Sequence, residues 1–370
     1  MFTETHGPSV LMTADAVGGV WTYAMDLAAG LQARGARVTL AVLGPGMRDR
    51  HREDANRRGI RIVARECRLE WMHDCWDDVD RAGEWLVQQA DECGANVLHL
   101  NGYAHAAQSW KAPVVTVAHS CVRTWWRGVH GEEAPSEWDV YTRRVAAGLA
   151  AADLVVSPTA ALLDQIQREY GVTARARVIP NGSAAVGGGE EDPSTAHKDD
   201  LIFSAGRLWD EAKNVSTLCA AASLVRWPVY VAGDNQGPSG TSACSGAVRY
   251  LGALDPAGMA SWYRRATIYA LPARYEPFGL SVLEAAASGC ALVLGDIRTL
   301  RENWDGAALF VPPDNHRALA RAIDRLVADT DLRRRLAAAA ARRARRFTVG
   351  AMADAYLSAY AGLVKSAAAA

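Results

Sequence analysis

Residues 201–214 read LIFSAGRLWDEAKN, an apolar run that stops at Gly206 and opens into a polar segment holding Arg207 and Lys213 six residues apart. A short apolar run closed by glycine reads as a strand buried on both faces, the kind that parallel sheets contain. The same signal recurs downstream in PVYVAG (228–233), VRYLG (248–252), TIYALP (267–272) and ALVLG (291–295), with helical patterns such as Thr217–Val225 and Met259–Arg265 between. Upstream it appears in SVLMT (9–13), RVTLAVL (37–43), NVLHL (96–100), PVVTVAH (113–119) and DLVVSP (153–158), with a helix expected over Thr22–Arg34. Alternation of this kind predicts an α/β protein with parallel sheets.

The rhythm breaks once, at residues 182–200, GSAAVGGGEEDPSTAHKDD, where turn formers replace core formers. Two Rossmann-like domains are therefore expected, 1–181 and 201–349, joined by a 182–200 linker with Gly187–Gly189 as its hinge. Beyond Pro313 the pattern is wholly helical. Its arginines (Arg333, Arg334, Arg335, Arg342, Arg343, Arg345, Arg346) flank an Ala and Leu stripe, which reads as the solvated face of a packed helix.

Composition narrows the function. With 40 basic and 41 acidic residues and a formal charge of −1, no concentrated cation surplus favours a nucleic-acid partner. The seven cysteines form no CxxC pair, and no HExxH is present, so a reduced cytosolic thiol set without a metal cage is expected. MFTETHGPSVLMT lacks a basic, apolar leader, and the apolar stretch Val145–Leu163 is interrupted by Asp153 and Pro158, so neither a secretory signal nor a membrane span is read. The run RDRHREDANRRGIR (48–61) is basic enough to meet an anionic lipid surface, but its acids favour a solvated helix. Tryptophans 71, 76, 85, 110, 125, 126 and 138 crowd the first half, where they either fill core or stack on sugar rings.

The chemistry concentrates in residues 274–289, RYEPFGLSVLEAAASG, with Glu276 and Glu284 eight positions apart around Gly279. A helix beginning at Gly279 would offer unpaired N–H groups and a positive dipole end to phosphate oxygens. A carboxylate on each side could accept hydroxyl hydrogen bonds from a sugar and a ribose. The plainer alternative is an amphipathic helix with a capping acid. Arg207 and Lys213, in a strand-to-helix loop, suit a departing diphosphate, since cations gain effect as negative charge develops on the leaving oxygen. Otherwise they are two solvated cations of a surface loop.

These two segments resemble the signature segments of family 4 retaining glycosyltransferases. The likeness continues through Gly18 and Gly19, VAH ending at His119, IPNG (179–182) and VRYLGALDP (248–256). It implies a GT-B architecture, two Rossmann-like domains facing a cleft, with an acceptor-binding first domain and a donor-binding second. It also implies that 350–370 form a terminal helix packing back on the first domain. By motif position, Arg207 and Lys213 would bind the diphosphate, Glu276 the donor-sugar hydroxyls and Glu284 the ribose. Backbone amides of Phe278, Gly279, Leu280 and Ser281 would contact sugar and phosphate, Leu254 would lie beside the base, and His119 would face the sugar. Gly18 and Gly19 would approach the phosphates, glycine letting backbone N–H groups come close; a plain tight turn and a hydrogen-bonded core histidine are the alternatives for these positions. Asn214 stands where the family often has glycine, which weakens the expected loop geometry.

The implied activity is transfer of a hexose from a nucleotide-diphosphate sugar, UDP-hexose before GDP-mannose, to a hydroxyl on a sugar, glycolipid or small glycoside. No metal or other cofactor is expected, so activity should persist in chelator, and no catalytic base is assigned. The setting is cytoplasmic, with peripheral contact to the inner membrane face left open; oligomeric state is not readable. A sugar-nucleotide epimerase or hydrolase and a noncatalytic nucleotide-sugar-binding protein are the competing readings. The absence of a full GxGxxG after the first strand disfavours a dinucleotide-dependent dehydrogenase.

Overall fold

The computed structural model describes residues 7–171, 174–187, 197–234 and 247–369, with backbone alone for 366–369. The chain divides into two compact units: one of 1–127, 132–182 and 349–370, the other of 128–131 and 183–348.

In the first unit, strands β1 (Ser9–Asp15), β2 (Arg37–Gly44), β3 (Arg61–Glu66), β4 (Val97–Leu100), β5 (Val114–Val117), β6 (Leu154–Ser157) and β7 (Ala176–Val178) form one sheet in the order β3-β2-β1-β4-β5-β6-β7. The second unit holds β8 (Asp199–Ala205), β9 (Val229–Ala232), β10 (Val248–Tyr250), β11 (Ala266–Leu271), β12 (Ala291–Gly295) and β13 (Ala308–Val311), ordered β10-β9-β8-β11-β12-β13. All the strand pairs are parallel.

Both faces of the second sheet are covered. Leu201, Phe203 and Ala205 enter one apolar cluster, with Tyr269, Leu292 and Trp304, while Ile202 enters another with Val229, Ile268 and Val293. Successive side chains of a strand point to opposite faces, so a strand that must fill two cores has to be apolar at every position. Both sheets reverse their winding beside the first strand, between β1 and β4 and between β8 and β11. In open parallel sheets such a switch point leaves a crevice outside the carboxyl ends of the strands.

The closing helix, Val349–Ala369, groups with the first unit and packs on helix Gly19–Gln32. Arg34 pairs with Asp354, and Tyr356 and Tyr360 are fully buried there. Helix Gly19–Gln32 starts a turn earlier than its sequence pattern predicts, because Gly18 and Gly19 already belong to the turn that opens it. Most of the expected linker, 188–196, lies outside the described residues, as do Gly188 and Gly189 of the expected hinge; β8 begins inside the 182–200 window, at Asp199.

The basic run near residue 50 forms helix Asp49–Arg57, whose cations are partly spent internally: Arg57 and Arg58 pair with Asp54, and Arg58 with Asp26. Trp71, Trp85 and Trp110 pack against the first unit's core. The Arg-rich helix Thr330–Ala344 buries Ala337, Ala340, Ala341 and Ala344 and lays Arg333 over Trp227. The expected all-reduced thiol set does not hold: Cys67, Cys75, Cys93, Cys121 and Cys290 are free, but Cys219 is disulfide-bonded. Among the described residues no helix is long and apolar enough to cross a membrane.

Candidate active site

The switch point of the second sheet gathers most of the residues singled out in the sequence. The loop after β8 carries Arg207 and Lys213, and the loop after β11 carries Glu276, so neighbouring strands deliver opposite charges to one place. Lys213 Nζ donates to Glu276 Oε2, and both side chains are largely buried, at 16% and 10% exposure. The other carboxylate oxygen, Oε1, accepts from the backbone N–H of Gly279 at 3.1 Å. Thr299 Oγ1 donates to the Glu276 carbonyl at 2.6 Å, which fixes the backbone as well. The carboxylate thus sits against the N-cap residue of helix Leu280–Ala287, at the end of a helix where negative charge is favoured.

Gly279 has φ 88°, a left-handed conformation that turns the chain from loop into helix, and a Cβ there would stand 3.1 Å from Val282. Leu280 and Ser281 open the helix at partial exposure, while Phe278 is buried against Phe347 and its carbonyl accepts from Asn303 Nδ2 at 3.3 Å. Glu284 lies in the second turn, partly buried. Burial, followed by the neighbouring Glu284 charge, pushes the Tyr263 hydroxyl well above its ordinary pKa.

Arg207 is exposed; its guanidinium donates to Asp210 Oδ2 at 2.7 Å and lies 5.5 Å from the Trp209 ring. Asp210 is buried and also accepts from Ala212 N at 3.0 Å, so it orients the cation while capping the turn that presents Lys213. The close approach of two loops completes the floor. A Cβ on Gly233, after β9, would stand 1.7 Å from the Gly206 carbonyl oxygen, so only glycine fits there. Leu254 follows β10, partly buried, one residue before the Asp255 cap of helix Pro256–Arg265.

Asn214 corrects an expectation. It takes φ 54°, ψ 43°, the left-handed region that asparagine tolerates better than most residues. Its Nδ2 donates to the carbonyls of Pro272 at 3.0 Å and Pro313 at 2.7 Å, and its Oδ1 accepts from Thr217 Oγ1 at 2.9 Å. The loop geometry that glycine would permit is here held by side-chain bonds.

Gly18, Gly19 and His119 lie in the first unit. Gly18 is extended (φ −156°) and caps helix Gly19–Gln32, its carbonyl accepting from Trp21 N at 3.2 Å; no positive φ demands glycine here. His119 follows β5, its Nε2 2.8 Å from Asn101 Oδ1 and its ring 4.5 Å from that of Tyr23. Burial pushes its pKa down to about 4. Asp210, Thr299 and Asn101 escaped the sequence reading. Asp210 carried a readable signal, an acid at the start of a turn; the other two are recruited by distant segments.

Residues 17–183 match a family model described as Glycosyltransferase Family 4, and residues 199–329 one described as Glycosyl transferases group 1. A D-inositol 3-phosphate glycosyltransferase of Streptomyces bingchenggensis is 26% identical over 308 residues, which span 70% of this chain and 64% of that protein's own length. A protein of the same description from Xylanimonas cellulosilytica is 27% identical, with 98% of each chain covered. In fold the chain is similar to the sucrose-phosphate synthase of Thermosynechococcus elongatus, with a TM-score of 0.76 at 20% identity, covering 97% of this chain and all of that one.

Proposed function

The chain belongs to glycosyltransferase family 4, and on that premise we propose that it moves a hexose from a nucleoside-diphosphate sugar to a hydroxyl acceptor with retention at the anomeric carbon. The observation that carries this reading is the cluster of Arg207, Lys213, Glu276 and the glycine-led start of helix Leu280–Ala287 at one switch point. In the reaction the acceptor oxygen forms its bond to the anomeric carbon as the bond from that carbon to the phosphate oxygen breaks. The electron pair leaves with the diphosphate, and the acceptor's proton passes to a departing phosphate oxygen on the same face.

Charge on the leaving group grows along this path, so cations fixed beside it stabilise the transition state more than the ground state. Arg207, Lys213 and the helix start supply that charge, and turnover persists in chelator. Glu276 binds rather than reacts. Each of its oxygens already accepts one hydrogen bond and keeps a second lone pair for a sugar hydroxyl. Glu284 holds the ribose hydroxyls, and Leu254 lines the base. UDP-hexose is the favoured donor, followed by GDP-mannose. The D-inositol 3-phosphate named in the relatives' descriptions supports a small polyhydroxylated acceptor.

The test is thermal unfolding of the native chain and of an Arg207→Ala, Lys213→Ala double variant with UDP, GDP, ADP and their sugar conjugates. Ligands of the folded state raise Tm. A shift with one sugar nucleotide, lost in the double variant, is expected; no shift with any of them would refute the donor site. Product formed from donor alone, without acceptor, would favour an epimerase or hydrolase instead.

A further inference from the structure

In the first unit, the switch point between β1 and β4 holds an ordered chain of neutral hydrogen bonds. Asn101, directly after β4, donates its backbone N–H to Thr13 Oγ1 at 2.8 Å and its Nδ2 to the Thr13 carbonyl at 2.6 Å. Those bonds settle the amide's orientation: Nδ2 faces an acceptor, so Oδ1 is the atom turned to His119 Nε2, 2.8 Å away. An amide oxygen can only accept, so Nε2 carries the hydrogen. A neutral imidazole has one N–H, which leaves His119 Nδ1 as a bare acceptor.

Three features hold that state. Burial keeps the ring neutral, as its pKa of about 4 indicates. The Tyr23 ring meets the imidazole edge to face at 70°, fixing its plane. The loop bearing Asn101 is pinned further along by Glu70, which accepts from Tyr103 N at 3.1 Å and Ala104 N at 2.8 Å. Nδ1 has no hydrogen-bond partner among the described residues, and it is not one of the sealed, unpartnered polar atoms either. His119 as a whole residue is only partly buried, which leaves Nδ1 an acceptor that none of the described residues uses.

We propose that Asn101 is a positioning residue that locks His119 in its Nε2-protonated tautomer, so that Nδ1 accepts a hydrogen bond from a hydroxyl of the carbohydrate substrate. This rests on the glycosyltransferase reading above. It adds a specificity rule: at that position the substrate must offer an O–H donor, and a fluoro or deoxy analogue, or a partner offering only acceptors, is discriminated against.

The experiment is nitrogen-detected NMR of the full chain with labelled histidine near neutral pH, joined to kinetics of two variants. The wild-type His119 signal is expected as the neutral Nε2–H tautomer. In Asn101→Asp a carboxylate faces the ring, and His119 is expected to become imidazolium, with Nδ1 protonated. Transfer kcat/KM then falls about tenfold, as for one lost hydrogen bond, while the Tm shift from nucleoside diphosphate stays as in wild type. Asn101→Ala is expected to give mixed tautomers and an intermediate kcat/KM.

An Nδ1–H tautomer or an imidazolium in the wild-type spectrum would overturn the proposal, and that spectrum requires neither a variant nor turnover. So would an imidazolium in Asn101→Asp with kcat/KM unchanged. A chain that transferred no sugar under any condition would sink the transferase reading and the hydroxyl contact with it, while the spectrum would still decide the tautomer.

Discussion

The two sheets wind the same way and reverse at the same place, yet they furnish their switch points with opposite chemistry. At β8 and β11 stand Arg207, Lys213 and Glu276, with charges paired and partly exposed. At β1 and β4 stand Thr13, Asn101 and His119, neutral and joined by hydrogen bonds, with the Tyr23 ring edge-on to His119. Behind them His99 continues the pattern: its Nδ1 lies 2.6 Å from the Tyr360 hydroxyl and its Nε2 3.2 Å from that of Tyr23, which donates to Tyr356 at 2.7 Å. The crevice comes with the fold, but what it binds is set by the side chains that the loops bring to it. A charged crevice suits a diphosphate, and a neutral one of donors and acceptors suits hydroxyls.

The comparison breaks first at Glu276. Glu276→Gln keeps shape and an acceptor oxygen but removes the charge that pairs with Lys213 beside the helix start. Transfer is expected to fall on the order of a hundredfold, the scale on which loss of one electrostatic contact at a reacting centre is felt. Steady-state kinetics with the donor identified by thermal shift checks this, and a loss under threefold would remove Glu276 from the site.

Acid should separate the units next. Burial lowers the pKa of four histidines, His51, His99 (to about 3), His105 (to about 4) and His119 (to about 4), and all four lie in the first unit. A histidine whose folded pKa is depressed binds fewer protons folded than unfolded, so its contribution is complete above about pH 6.5 and is lost as pH falls toward the folded value. Between about pH 6.5 and pH 4 the first unit is expected to lose a few kcal/mol of stability. Hydrogen exchange at stepped pH should show protection failing in β1, β4 and β5 before β8 and β11; the reverse order would contradict the assignment.

The smallest effect is at Asn214. Asn214→Ala puts a residue that disfavours φ 54° into the turn and deletes two carbonyl bonds, for a cost of about 1–3 kcal/mol. Asn214→Gly keeps the conformation and should lose less than the alanine variant. Equal losses by urea titration would mean that the side-chain bonds alone matter there.

Much of this was legible in the sequence because burial on both sheet faces forces runs such as Leu201–Phe203 to be continuously apolar. The cations and carboxylates of the second crevice could also be named, since a glycine after a strand and an acid before a helix carry local meaning. Their pairing could not, because Lys213 and Glu276 are 63 residues apart and meet only through the strand order. Asn214 was misjudged for a related reason: its conformation is readable, but the Pro272 and Pro313 carbonyls that hold it come from elsewhere. The first crevice was the least legible. Asn101 looks like any polar residue after a strand until Thr13 and His119 are brought beside it.

The central claim is that the second unit's switch point holds the nucleoside diphosphate. Hydrogen exchange of the intact chain with and without saturating UDP tests it most directly. The account predicts slowed exchange in 206–214 and 276–284, with β1 and the loop after β4 unchanged by UDP alone. Protection confined to the loops after β1, β4 and β5, with 206–214 and 276–284 unaffected, would contradict it.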